Sequence, residues 1–63
     1  NRSVYEDIIR LKHKIIKKLL DENMTEMKRL KDADEIERLQ RVNIELNKIK
    51  VELGKKLGII VGN

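Results

Sequence analysis

Residues 36–57 of this chain read IERLQRVNIELNKIKVELGKKL, and this stretch decides the fold. Its apolar residues recur at steps of three and four with charged residues between them, which is typical of an amphipathic helix packed against another helix. The residues of this stripe are Ile36, Leu39, Val42, Leu46, Ile49, Leu53 and Leu57. We therefore predict a long helix over residues 33–57.

The first half of the chain predicts another helix, over residues 4–31. Ser3-Val4-Tyr5-Glu6 has the Ser-x-x-Glu form of a capping box, which places the helix start at Val4. A broader apolar stripe follows the box, formed by Tyr5, Ile8, Ile9, Ile15, Ile16, Leu19 and Leu20.

Two cap signals compete for the start of the next helix. Asn23-x-x-Glu26 could begin a short separate helix, and Asp32-Ala33-Asp34-Glu35 could cap the long one. We favour a turn at 31–34, because helix propensity is high over 20–31 and neither Gly nor Pro interrupts it.

The end of the second helix is predicted at Leu57. Gly58 then takes the position after the helix that requires a positive φ. Residues 59–61 form a short apolar tail that covers the open end of the bundle.

Two arms of similar length predict an all-α antiparallel hairpin that forms one unit over residues 1–63. A turn centred near residue 32 pairs Ile8 with Leu57 and Ile15 with Ile49, and it sets Lys12 near Glu52. The predicted seam combines the stripe of residues 36–57 with Ile8, Ile15 and Leu19.

The hairpin is too small to be stable alone. The chain has 63 residues, one aromatic residue, no Cys and 41% charged residues, so neither a large core nor disulfides can stabilise it. Chains of this size usually gain stability by association. We expect a homo-oligomer, with a dimeric four-helix bundle or coiled coil favoured, or docking on a larger protein partner.

A second interface is predicted on the outer side of the second helix. Placing Leu46 at heptad position a and Ile49 at d leaves Ile44 and Val51 at f, away from the seam. Exposed apolar residues in line tend to mark interaction sites.

Charge is distributed unevenly along the chain. Residues 1–21 carry six basic and three acidic side chains, residues 22–37 carry three and six, and residues 38–63 carry six and two. In a hairpin the first and last of these segments share one end, so a basic open end opposes an acidic turn end. Two copies would attract each other when packed head to tail.

The basic end also suggests contact with nucleic-acid phosphates. The candidate residues are Arg10, Lys14, Lys17, Lys48, Lys55 and Lys56. Aromatic residues that would stack on bases do not accompany them, and no helix-turn-helix or zinc-finger pattern is present.

Catalytic and metal-binding patterns are close to absent, so we expect neither an enzyme, nor a cofactor, nor a small-molecule substrate. His13 is the one histidine, and Ser3 and Thr25 have no base at a recognisable spacing. No run of 18 apolar residues and no signal-peptide pattern is present, which indicates no membrane partner. The absence of cysteine fits a cytoplasmic or nuclear location, and we favour the cytoplasm. The initial Asn1 suggests trimming, processing or an excised domain.

The sequence shows a partial resemblance to each of two known families. Asn43-Ile44-Glu45-Leu46-Asn47 resembles the Ser-Gln-Glu-Leu-Asp motif of small helical-hairpin aspartyl-phosphate phosphatases at Glu45 and Leu46, while Asn47 replaces the aspartate that the family needs. The hairpin and its basic charge are also similar to the small two-helix protein of the large ribosomal subunit, without its Arg-rich second-helix signature. Neither family is adopted.

The favoured function is therefore a protein-interaction and oligomerisation hairpin that acts as an assembly or adaptor module. The alternatives are a small basic nucleic-acid-binding regulator and a phosphatase-like hairpin.

Overall fold

The chain folds into two helices joined by a short turn. The structure, a computed structural model, describes the backbone of residues 2–61 and the side chains of residues 4–58. Helix α1 spans Arg2–Arg29 and helix α2 spans Ala33–Val61. They pack against each other as a rod of 47 × 14 × 14 Å. The predicted all-α helical hairpin is confirmed.

The turn occupies residues 30–32, slightly earlier than the predicted 31–34. Asp32 caps α2, because its Oδ1 accepts the backbone N–H of Asp34 at 3.1 Å and its carbonyl oxygen accepts that of Ile36 at 3.0 Å. Helix α1 continues unbroken through Asn23. Of the two competing cap signals, the structure uses the one at Asp32.

The predicted limits of α1 need correction at both ends. The helix begins at Arg2 rather than Val4 and ends at Arg29 rather than residue 31. Glu6 accepts a hydrogen bond from the Arg10 guanidinium at 2.8 Å, one helical turn further on. The Ser3 hydroxyl, the other half of the predicted capping box, lies outside the described side chains.

The predicted end of α2 is also wrong. The helix continues through Gly58 to Val61, and no described glycine has a positive φ. A Cβ added at Gly54 or Gly58 would meet nothing within 4 Å, so no close approach requires a glycine at either position. The backbone of the predicted tail, residues 59–61, therefore belongs to the last turn of α2. The side chains of the tail lie outside the described part.

The contact between the helices follows two regular stripes, which we call the inner seam. Its members are buried or half-buried and recur at alternating steps of three and four. They are Glu6, Ile9, His13, Ile16, Leu20, Asn23, Met27 and Leu30 on α1, and Ile36, Leu39, Asn43, Leu46, Lys50, Leu53 and Leu57 on α2.

On α1, each predicted seam position is displaced by one residue along the chain in the structure. Ile9 and Leu20 are buried there, whereas the predicted Ile8, Ile15 and Leu19 are exposed. The sequence offers adjacent apolar pairs at these places, and the second member of each pair is the one that faces α2.

The predicted seam also changes at two positions of α2. Val42 and Ile49 are exposed, and the half-buried positions beside them belong to Asn43 and Lys50. Hydrogen-bonding groups therefore interrupt the apolar contact between the helices.

A buried amide shows the register of the hairpin. Asn23 Nδ2 donates to the carbonyl oxygen of Leu39 at 2.9 Å, so these two residues lie at the same height. The predicted position of Lys12 near Glu52 stays a prediction. Lys12 lines a groove with Ile49 and Leu53, and Glu52 pairs with Lys55 on its own helix at 3.6 Å.

Candidate interaction surface

Large aliphatic side chains form an exposed stripe on one side of the hairpin, which we call the open face. Each of its members is 41 to 47% exposed. They are Ile8, Ile15 and Leu19 on α1, and Val42 and Ile49 on α2. All of these were predicted to lie in the seam, and they lie at its edge instead.

The two halves of the open face lie on the same side of the molecule. Ile15 and Ile49 line one mainly apolar groove together with Lys12. Val42 lies seven residues before Ile49, which is two helical turns along the same stripe. The result is an apolar strip in the middle and open-end half of the rod, interrupted by Lys12 on α1 and by Glu45 on α2.

The same stripes become charged towards the turn. Helical steps of three and four continue from Leu19 to Glu22 and Glu26, and backwards from Val42 to Arg38 and Glu35. Glu26, Glu35 and Arg38 line one groove near the turn, which shows that the two charged stripes converge there.

One ion pair at this end shifts the pKa values of its members. A hydrogen bond from the Arg29 guanidinium lowers the pKa of Glu26, and Glu26 in turn raises the pKa of Arg29. Both side chains are solvent-accessible, so their pairing contributes little to the stability of the hairpin.

Every ion pair found among the described side chains joins residues of a single helix, three or four positions apart. The pairs are Glu6 with Arg10, Glu26 with Arg29, Glu37 with Arg41, Glu45 with Lys48, and Glu52 with Lys55. Within the described part of the chain, other charges along the open-face stripes make no ion pair. These are Lys12, Glu22, Glu35, Arg38 and Lys56.

The predicted second interface lies on the outer side of α2. Ile44 and Val51 are 56% and 55% exposed and line a shallow apolar groove beside Lys48. The helix presents this groove away from α1, as the heptad assignment predicted. Whether it binds a partner stays a prediction.

The six candidate phosphate contacts are all exposed, but they do not form one cluster. Arg10, Lys48 and Lys55 pair with acidic residues on their own helices. Lys55 and Lys56 are adjacent in sequence, so about 100° of helix rotation separates them. Lys14 and Lys17 lie on α1.

The described side chains include no group of three or more His, Cys, Asp or Glu residues arranged to hold a metal ion. In the motif that resembles the phosphatases, Glu45 pairs with Lys48 at 3.3 Å, and Asn47 donates to the carbonyl oxygen of Asn43 at 3.1 Å. No helix within the described residues is long and apolar enough to cross a membrane.

Comparison with known proteins places the chain in a family. The model of a domain of unknown function, DUF8430, matches residues 1–61. The chain belongs to this family. No curated protein and no solved structure matches it. The family match covers both helices, and the family has no known function.

Sequence reasoning missed two polar residues of the inner seam. Asn23 was considered only as a cap, and Asn43 only as part of a motif. Each continues the three-and-four spacing of its inner-seam stripe, Asn23 after Leu20 and Asn43 after Leu39, and this spacing is the signal that could have identified them.

Proposed function

We propose that this chain is a self-assembling helical hairpin that serves as an assembly or adaptor module, in which two copies pair through their open faces as a four-helix bundle. The observation that carries the proposal is the strip of exposed aliphatic side chains on one side of the rod. Contiguous exposed apolar strips on small proteins tend to be covered by a partner.

The shortage of buried apolar residues supports the same proposal. Among the described residues, only Ile9, Leu20 and Leu53 are buried apolar side chains. A hairpin with so small a dry core lacks the burial that stabilises a folded domain of this length. Covering the exposed half of each open-face side chain would contribute roughly 1 kcal/mol per residue.

The spacing on the open face suits a helical partner. Its residues recur at three and four positions along both helices, so the strip can receive side chains from another helix pair packed at a shallow angle. Ile44 and Val51 would then remain on the outside of the bundle. There they offer a second contact to a further protein, which is the adaptor part of the proposal.

The test compares two matched pairs of substitutions by sedimentation velocity. The variant Ile15→Ser/Ile49→Ser changes the open face, and Ile44→Ser/Val51→Ser changes the outer side of α2. We expect the first variant to sediment as a monomer at concentrations where the unmodified chain is a dimer. We expect the second to remain a dimer.

A milder variant distinguishes loss of the dimer contact from unfolding of the hairpin. Ile15→Ala/Ile49→Ala keeps helix propensity high at both positions, and circular dichroism reports its helix content. Loss of the dimer with helix retained at high concentration supports the proposal. Equal assembly by the open-face variants and the unmodified chain would overturn it.

A further inference from the structure

The open face also carries charges whose order along the two helices selects how a second copy can lie on it. This inference rests on the proposed self-association. We infer that the partner copy is antiparallel, with its turn end over the open end of the first copy. Lys12 and Glu22 are the residues that select this orientation. The partner is thus a second copy of this chain with the opposite direction.

The spacing on α1 matches that of a reversed copy. Reversing a second copy about the midpoint between Ile15 and Leu19 brings Ile15 against the partner's Leu19. The same reversal brings Lys12 against the partner's Glu22. Because the contact is symmetric, each dimer would contain both pairs twice.

The same operation also matches α2. Reversal about the midpoint between Glu45 and Leu46 brings Val42 against the partner's Ile49 and Glu35 against the partner's Lys56. It also places Arg38 near the partner's Glu52. Aliphatic side chains again meet aliphatic ones, and opposite charges meet.

The register of the hairpin allows one two-fold axis to relate both helices to their counterparts in the partner copy. Asn23 and Leu39 lie at the same height. Six residues further from the turn on each helix are Lys17, which is halfway between Ile15 and Leu19, and Glu45. The two reversal points are therefore level to within half a residue, and the two rods overlap along most of their length.

The observed ion pairs leave these charges available. Lys12, Glu22, Glu35, Arg38 and Lys56 are exposed and make no ion pair within the described part of the chain. Two meetings are unfavourable: Ile8 meets the partner's Glu26, and Glu45 meets the partner's Glu45 near the axis. Each Glu26 is already paired with Arg29 of its own helix, and each Glu45 has Lys48 of its own helix at 3.3 Å.

The parallel arrangement, with the two turns together, sets α1 against the partner's α2 at equal height. Because Asn23 is level with Leu39, Lys12 then lies two positions from the partner's Glu52 and Glu22 two positions from the partner's Arg38, while Glu26 lies one position from the partner's Glu35. It also joins two acidic turn ends and two basic open ends. Like charges placed together oppose association, so the charges favour the antiparallel copy.

Disulfide trapping separates the two orientations, and the chain contains no cysteine of its own. We propose mixing Lys12→Cys with Glu22→Cys in a glutathione buffer, and separately mixing Arg38→Cys with Glu22→Cys. A disulfide requires Cα atoms within about 7 Å. The antiparallel dimer predicts that mixed disulfides accumulate in the first mixture and not in the second, as counted by intact-mass spectrometry.

Charge reversal gives an independent measurement. Lys12→Glu should weaken the dimer roughly tenfold, because two attractive pairs become repulsive. The double variant Lys12→Glu/Glu22→Lys should restore the affinity, because the pair is re-formed with its signs exchanged. In the parallel arrangement the double variant would carry two sets of repulsions and would not recover.

The outcomes distinguish failure of this inference from failure of the proposed function. A dimer that is trapped by the second mixture, and that the double variant does not restore, overturns the antiparallel orientation and leaves self-association standing. An unmodified chain that sediments as a monomer at all concentrations overturns both.

Discussion

The side-chain amide of Asn23 donates a hydrogen bond to the backbone carbonyl oxygen of Leu39, 2.9 Å away on the opposite helix. Asn23 is only 8% exposed, so this bond lies inside the contact between the helices. A polar residue at a seam position commonly fixes the register of paired helices at some cost in stability. We infer that Asn23 has this role here.

Replacing Asn23 separates register from stability. Asn23→Ala should lower the free energy of unfolding by about 1 kcal/mol, because a buried hydrogen bond is lost and no apolar contact replaces it. Asn23→Leu should be more stable than Asn23→Ala but should populate more than one assembly state, since the register is no longer specified. Chemical denaturation and sedimentation measure the two effects. An Asn23→Leu variant with one assembly state would contradict the role in register.

The cap at Asp32 offers a local test of the turn. Asp32→Ala should destabilise the hairpin by about 1 kcal/mol, because the backbone N–H of Asp34 loses its side-chain acceptor. Asp32→Asn keeps an acceptor oxygen and should retain most of the stability. Thermal melts followed by circular dichroism compare them. Equal melts of the Ala variant and the unmodified chain would show that the cap contributes nothing.

Gly54 lies in the middle of a helical stretch without a structural need for glycine. An added Cβ meets nothing within 4 Å, so Gly54→Ala should stabilise the chain by about 0.5 to 1 kcal/mol through helix propensity. Gly58→Ala should act in the same direction. A lower midpoint of unfolding for Gly54→Ala would indicate that this position is covered in the assembled protein.

The two helices could be predicted from the sequence because their periodicity extends over many turns. The rotation of α1 could not, because Ile8-Ile9, Ile15-Ile16 and Leu19-Leu20 are adjacent apolar pairs. Either member of each pair could face α2, and a pattern of apolar residues alone does not choose between them. In the structure Asn23 continues the stripe of Ile9, Ile16 and Leu20, and it is a polar residue that such a pattern ignores.

The end of α2 and the exposure of the open face could not be predicted from local sequence patterns. Glycine ends many helices, but Gly58 has no positive φ, and the helix continues past it. Exposure of Ile15 and Ile49 depends on which side of each helix the hairpin uses. The apolar pattern therefore identified the residues of the open face, but the prediction placed them in the seam.

Nucleic-acid binding by the basic end stays a prediction with a clear signature. If Arg10, Lys14, Lys17, Lys48, Lys55 and Lys56 contact phosphates, affinity for duplex DNA should fall with salt at a logarithmic slope of about −3 to −6. Each substitution to Gln should reduce the slope by about 1. Fluorescence anisotropy over a salt series measures it. The assembly proposal expects only weak attraction at low salt, so tight binding that is lost in Lys55→Gln/Lys56→Gln would favour the nucleic-acid function.

Sedimentation equilibrium of the unmodified chain measures self-association itself. Self-association obeys mass action, so the experiment spans about 1 to 100 µM protein, with helix content followed by circular dichroism over the same range. We expect the mass to rise from 7.5 kDa towards twice that value, with helix content rising in parallel. A mass of 7.5 kDa and constant helix content over the whole range would contradict it.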